Sequence, residues 1–332
     1  MPTPRRKASI KDVARVAGVS IASVSRVMNT GSGVVSEAVR TKVEKAIADL
    51  DYRPNRIGQA LRGQATNTYA TVVSSIQNNF YAAVAWELER RLNDRGAAML
   101  LFHSNEDAAL QDRCLREIGS RQVAGIFLLC AVDSPGLETL AREVPMVFIN
   151  RRVASLPQVP FVGIDDGSAA AELAGTIVRD RPGRIGIIHG PLRSMTSAAR
   201  LAGFREAFAA AGQPILDQHV IESDLSMEDG YACAVRLLAS SDVSFDAIVC
   251  GNDQIAYGAY RRCRELRLDV PGDTAIYGFD DNPLNQWLAP WLSTVSVPHI
   301  RFAEVALANM VRLCLGEAPG DAILPYDLVL RR

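Results

Sequence analysis

The chain predicts a small three-helix head carrying a helix-turn-helix, followed by a hinge helix and a bilobal α/β core of two doubly wound parallel sheets. Three observations predict this α + α/β class. A Gly-Val-Ser turn at residues 18–20 separates two short apolar-periodic segments near the N-terminus. Charge is segregated: residues 1–63 hold 12 Lys and Arg against 5 Asp and Glu, whereas the remainder holds 24 against 32 and no lysine. From residue 66 onward, short apolar strands alternate with amphipathic helices.

At 332 residues the chain is too long for one small core and implies two or three domains. A hydrophobic content of 48% excludes global disorder. No apolar run approaches the roughly 18–20 residues of a membrane span. The opening Met1-Pro2-Thr3-Pro4-Arg5-Arg6-Lys7 leads into a polar helix without a hydrophobic signal core, so a cytoplasmic location is expected. Cys114, Cys130, Cys233, Cys250, Cys263 and Cys314 are far apart, without a Cys-x-x-Cys pair, and the four histidines lack metal-ligand spacing. A reduced chain with no cofactor and no structural metal is expected. The basic surplus points to a polyanion partner for the head alone, although a solvated basic face would give the same balance.

The head begins with Ser9-Ile10-Lys11-Asp12, a capping-box pattern. Ile10, Val13, Ala14 and Ala17 recur at helical spacing, and Gly18 ends the helix where positive φ costs least. Ser20 is placed to cap a second helix whose apolar face is Val24 and Val27. Ile21, Ala22, Ser25 and Arg26 then point away from the core. A third helix over 36–50 sets Val39, Val43, Ala46, Ile47 and Leu50 on one face and closes a miniature core. Two short helices across a tight turn also occur inside ordinary bundles, but the basic balance and terminal position favour DNA binding. Pro54 then makes a turn before a short helix from Asn55 to Leu61.

The stretches "IKDVARVAGVSIASVSRVMN" and "YRPNRIGQALRG" resemble the lactose-repressor (LacI/GalR) family of bacterial transcription regulators. The resemblance implies that the hinge helix enters the minor groove at the operator centre, with Leu61 wedging a base step. It places base reading on Ile21, Ala22 and Arg26, and phosphate contact or bracing on Ser20, Ser25, Asn29 and Tyr52, with Asn55 in the hinge. Arg26 suits bidentate recognition of guanine, while Ile21 and Ala22 offer apolar contact. Two departures stand out: "NTGSGVVSEAVR" is one residue longer than usual, and Gly58 replaces a more common alanine. Glycine costs about 1 kcal/mol in a helix, so this hinge is expected to fold on binding DNA.

In the remainder, strands are expected at 70–76, 97–103, 125–130, 145–150 and 161–165, and again at 184–189, 219–223, 247–251, 274–279 and 292–297. Helices are expected at segments such as 81–95, 108–119, 197–211 and 253–267. The two sets of strands suggest an internal duplication. Ligands of such sheets sit beyond the carboxyl ends of the strands. Polar residues gather there: Ser74, Ser75 and Asn78; His103 to Asn105; Asn150 and Arg151; Asp165 and Asp166; Asn252 and Asp253; Asp280 and Asp281. Such groups suit a small polar ligand, although loops are polar for solvation alone.

The family resemblance extends through "GPLRSMTSAARLAGFREAF", "GNDQIAYGA", "VPGDTAIYGFDD" and "LSTVSVP". It implies a core like periplasmic sugar-binding proteins, crossing between lobes near 163–166, 290–297 and 321–325. The implied division is a head at 1–54, a hinge at 55–65 and a core at 66–332. Within that core the first lobe takes 66–163 with 297–322, and the second 164–293 with 323–332. Effector contacts fall by resemblance on Arg200, Asn252 and Asp280, with Asn150, Arg151, Ser75 and Phe80 as further candidates. Leu225 and His299 occupy places that often hold a sugar-stacking aromatic, which leaves the effector open. Phe80, Tyr81 and Trp287 are alternative wall residues, or packing.

The expected function is a sequence-specific repressor, a homodimer on a near-palindromic operator, controlled allosterically by a small polar effector such as a sugar. The rivals are a periplasmic-type binding protein without a DNA role and an enzyme. The first would need a signal peptide. For the second, there is no Gly-x-Ser-x-Gly elbow, P-loop or His-Glu-x-x-His, and "GSG" at 31–33 lacks a preceding strand. The strand-like end "LPYDLVLRR", with no heptad extension, gives no expectation of a tetramerising helix.

Overall fold

The computed structural model describes residues 8–28, 35–52, 67–181, 183–239 and 244–331. The chain divides into two compact units, Met1–Thr66 and Asn67–Arg332. In the first, α1 (Ile10–Ala17), α2 (Ile21–Met28) and α3 (Glu37–Asp49) pack around one small core. The capping box is present: the Ser9 hydroxyl accepts from the Asp12 amide, and the Asp12 carboxylate accepts from the Ser9 amide at 2.9 Å. These bonds, with Arg15 nearby, hold the Asp12 carboxyl down at about 2. Gly18 closes α1 at φ +65°, which glycine adopts without strain. Val13, Val24 and Val43 are fully buried, with Ala14, Ala17, Val27 and Ala46 around them. Asn29, and the expected hinge with Asn55, Gly58 and Leu61, lie outside the described residues.

The second unit holds β1 (Thr68–Val73), α4 (Asn79–Asn93), β2 (Ala98–His103), α5 (Ala108–Gly119), β3 (Gly125–Leu129), α6 (Pro135–Ala141), β4 (Met146–Ile149) and β5 (Phe161–Gly163). There follow α7 (Asp166–Asp180), β6 (Ile185–His189), α8 (Met195–Ala210), β7 (Val220–Glu222), α9 (Met227–Leu237), β8 (Ala247–Cys250), α10 (Asp253–Glu265) and β9 (Ala275–Asp280). The last elements are α11 (Asn285–Leu288), β10 (Ser293–Ser296), α12 (His299–Cys314), β11 (Ala322–Ile323) and β12 (Asp327–Val329).

They form two six-stranded sheets, β11-β5-β4-β3-β1-β2 and β12-β10-β9-β8-β6-β7. The two orders correspond strand for strand, as a duplicated unit would. The central strands β3, β4, β6 and β8 are buried along their whole length, as strands covered by helices on both faces must be.

The sheets are parallel as expected, except at one edge, where β12 runs antiparallel to β10. The strand-like end beginning at Leu324 does form β12, whereas β11, two residues without readable alternation, was not expected and pairs with the open edge of β5.

Small residues set the placement of α10, which carries part of the cleft. A Cβ on Gly258 would collide with the carbonyl of Met227 and the amide of Tyr231, so α9 and α10 touch backbone to backbone. Among the described residues, no helix is long and apolar enough to cross a membrane.

Candidate functional site

The head presents α2 to its surroundings. Val24 and Val27 face the core, whereas Ile21, Ala22 and Arg26 are exposed and Ser25 is half-buried. The exposed row combines one guanidinium fork with two small apolar groups, the chemistry of major-groove reading. The Ser20 hydroxyl caps α2 by accepting from the Ser23 amide at 3.1 Å. Tyr52 is buried in the head core, so here it braces the fold.

In the core unit, Arg200 organises the strand ends of the second sheet. Carried by α8 and almost fully buried, it donates from Nε to Asp166 Oδ1 at 2.7 Å and from Nη1 to the carbonyl of Gly251 at 2.8 Å. Its Nη1 lies 3.6 Å from Asp280 Oδ1, and its guanidinium sits over the Phe279 ring, 3.5 Å from the centroid. One cation thus serves two carboxylates. Burial pushes Asp280 up to about 8 against the pull of Arg200, with Asp253 and Asp166 adding to the rise. Asp166 is also raised by burial, again opposed by Arg200. The Arg200 guanidinium loses hydration, yet the two carboxylates hold its proton more firmly than usual.

Asp280 ends β9 with φ +109° and Asp281 follows at φ +50°. Such backbone in non-glycine residues is strained and persists only where surrounding contacts impose it. Asn252 precedes α10; its Oδ1 accepts from the Ile255 amide at 2.9 Å and its Nδ2 donates to the carbonyl of Leu225 at 3.2 Å.

Facing groups come from the first sheet. Asn150, with φ +65°, points Nδ2 at the Tyr81 hydroxyl at 3.5 Å. Arg151 is buried and forks onto Glu106, with Nη1–Oε2 at 3.0 Å and Nη2–Oε1 at 3.2 Å, while its buried Nε has no hydrogen-bond partner. Burial raises the Tyr81 phenol well above its usual range; the Cys130 thiol adds to this, Arg151 opposes it, and the Asp280 carboxylate reaches it across the cleft. The two lobes also touch where Gln254 donates to the carbonyl of Gln77 at 3.0 Å.

Of the expected effector residues, Arg200, Asn252 and Asp280 come together, and Asn150 and Arg151 stand in the facing lobe. Phe80 is 2% exposed and packs edge-on against Phe302 at 6.1 Å and Tyr81 at 5.3 Å. Ser75 uses its hydroxyl locally, accepting from the Gln77 amide. Trp287 is 74% exposed and does not pack into the core. Sequence reasoning left Asp166 and Asp253 undistinguished among the polar strand ends and passed over Glu106. Their one signal was a place just after a strand, which solvated loops share.

Residues 9–55 match the model of bacterial regulatory proteins, lacI family, and residues 66–318 that of periplasmic binding proteins and the sugar binding domain of the LacI family. The ribose operon repressor of Escherichia coli (strain K12) is 33% identical over 313 residues, 92% of each chain. The HTH-type transcriptional regulator DegA of Bacillus subtilis (strain 168) is 33% identical over 332 residues, 98% of this chain and 97% of its own. Among solved structures, the lac repressor dimer bound to operator and the anti-inducer ONPF aligns with a TM-score of 0.85 at 25% identity over 98% of each chain. The complex of the transcriptional regulator CelR with cellobiose aligns at 0.73 with 28% identity, over 98% of this chain and 99% of that one. With its head matched to one half of a single family and its two-lobed core to the other, the chain belongs to the lacI family of bacterial regulatory proteins, DNA-binding transcription repressors.

Proposed function

We propose that this repressor binds a near-palindromic operator as a homodimer, reads it through Ile21, Ala22 and Arg26, and responds to an uncharged polyhydroxy effector held between Arg200, Asn252 and Asp280 on one lobe and Asn150 and Arg151 on the other. No catalytic role is assigned to any residue. A head at 1–54, a hinge at 55–65 with Leu61 as wedge, and a core at 66–332 complete the proposal. A second copy is supported by the apolar Trp86 on α4 and Leu101 on the edge strand β2, which stand 65% and 48% exposed.

One observation carries the effector class: both cleft guanidiniums already have carboxylate partners, Arg200 with Asp166 and Arg151 with Glu106. A phosphate or carboxylate entering there would meet no free cation. Like charges 4 Å apart at an intermediate dielectric repel by about 4 kcal/mol. Sugar hydroxyls, which donate to carboxylates and accept from guanidiniums, fit without that penalty. The ribose operon repressor and the CelR–cellobiose complex support the same class.

The test is a thermal-shift and operator-binding panel of D-ribose, D-xylose, D-galactose, D-glucose and cellobiose beside ribose 5-phosphate and glucose 6-phosphate. A neutral sugar is expected to raise Tm and change operator affinity, while the phosphate esters do neither. A response to the esters alone would overturn the charge argument.

The head makes a separate prediction. Arg26→Ala should cost about 1–3 kcal/mol on the operator and flatten its discrimination from random DNA. Wild-type affinity should meanwhile fall steeply with salt. Gel-shift titrations on both DNAs check this, and equal losses on both would reduce Arg26 to a phosphate contact.

A further inference from the structure

Asp253 is 1% exposed and sits directly after the cleft residue Asn252. Three donors from three separate places converge on its carboxylate. The Asn282 amide donates to Oδ2 at 2.7 Å, Asn285 Nδ2 donates to the same oxygen at 2.7 Å, and Thr294 Oγ1 donates to Oδ1 at 2.7 Å. Gly278, two residues before Asp280, lies so close that a Cβ there would overlap Asp253 Oδ1. The carboxylate therefore ties the N-terminus of α10 to β9, to the loop after Asp280, to α11 and to β10.

That loop is where the backbone is strained, with positive φ at Asp280 and Asp281. Strain of this kind relaxes unless the flanking chain is held on both sides. β9 holds one side through its sheet hydrogen bonds with β8 and β10. On the other side, Asp253 gives the Asn282 amide its buried acceptor.

We propose that Asp253 is a positioning residue for the effector site, fixing the loop after β9 so that the Asp280 carboxylate stays beside Arg200. This rests on the effector reading above, since Asp280 matters to the ligand only if the cleft is the effector site. The donor pattern also explains why a carboxylate is needed. Three hydrogens point at two oxygens, and an amide in its place would turn its own hydrogens against at least one of those donors.

The experiment compares full-length wild type with Asp253→Asn, with the swap Asp253→Asn/Asn285→Asp, and with Arg200→Ala. Two readouts are used: amide hydrogen exchange, and titration with D-ribose. In sugar-free Asp253→Asn, exchange over residues 279–286 should rise about tenfold or more while β6 and β8 stay protected, because each 1.4 kcal/mol lost is a factor of ten. D-ribose affinity should fall at least tenfold with operator affinity unchanged. The swap, which restores one carboxylate among the donors, should recover a large part of both.

Unchanged exchange in Asp253→Asn would overturn the proposal, and that readout holds whether or not D-ribose binds. Faster exchange spread evenly over the whole lobe, without recovery in the swap, would also overturn it by making Asp253 a general fold determinant. If Asp253→Asn behaves as expected in exchange but Arg200→Ala keeps its full sugar affinity, the effector reading fails and the loop-fixing role stands.

Discussion

Arg200→Ala is expected to cost about 3–5 kcal/mol of stability and to abolish the effector response, the range found when one member of a buried charge network is removed. The guanidinium is nearly sealed from water and stands between Asp166 and Asp280. Truncating it leaves two carboxylates buried together and removes the cation lying over the Phe279 ring. Adding Asp166→Asn should recover part of the stability, because one fewer carboxylate is left uncompensated. It should recover none of the response, because the fork that meets sugar hydroxyls is still missing. Urea unfolding beside sugar-dependent operator release separates the two. A double variant that regains stability and responds again would show that Arg200 serves the fold alone.

Asp280→Asn should move stability the other way. Burial pushes the Asp280 carboxyl from its ordinary value up to about 8. A carboxyl raised on folding contributes stability that is complete below about pH 4 and is lost as the pH climbs through the folded value. Asparagine has no proton to lose, so the variant should gain on wild type progressively between about pH 4 and 8, by up to about 1.4 kcal/mol per pH unit, and then level off. Asp253 and Asp166 are coupled to Asp280, so part of the difference arises through their own titration. Effector affinity should nevertheless fall ten- to a hundredfold, since the strained residue at the end of β9 loses an acceptor for ligand hydroxyls. Unfolding curves at pH 5, 7 and 9 provide the check. A difference that stays flat from pH 5 to 9 would mean that Arg200 holds Asp280 ionised in the folded protein.

What the sequence by itself determined about this protein is what lies within a few residues along the chain. The Ser9–Asp12 capping box, the left-handed Gly18 and the apolar spacing of Val13, Val24 and Val43 act within one or two helical turns, and they specify the head. Alternation of buried strands with helices is equally local, so the two sheets were legible from pattern, as was the gathering of polar residues at the strand ends. Family motifs then picked Asn252 and Asp280 out of that gathering and added Arg200 from a helix.

What only the tertiary structure decided is which side chains meet. Arg200 bonds to Asp166, 34 residues away, and to Gly251, 51 residues away. Asp253 collects donors from 29 to 41 residues away. Phe80 meets Phe302 from the far end of the chain. β11 is a strand only because β5 leaves an edge for it. Backbone conformation follows from neighbours in sequence, but hydrogen bonding and burial follow from neighbours in space, and those exist only once the sheets have formed.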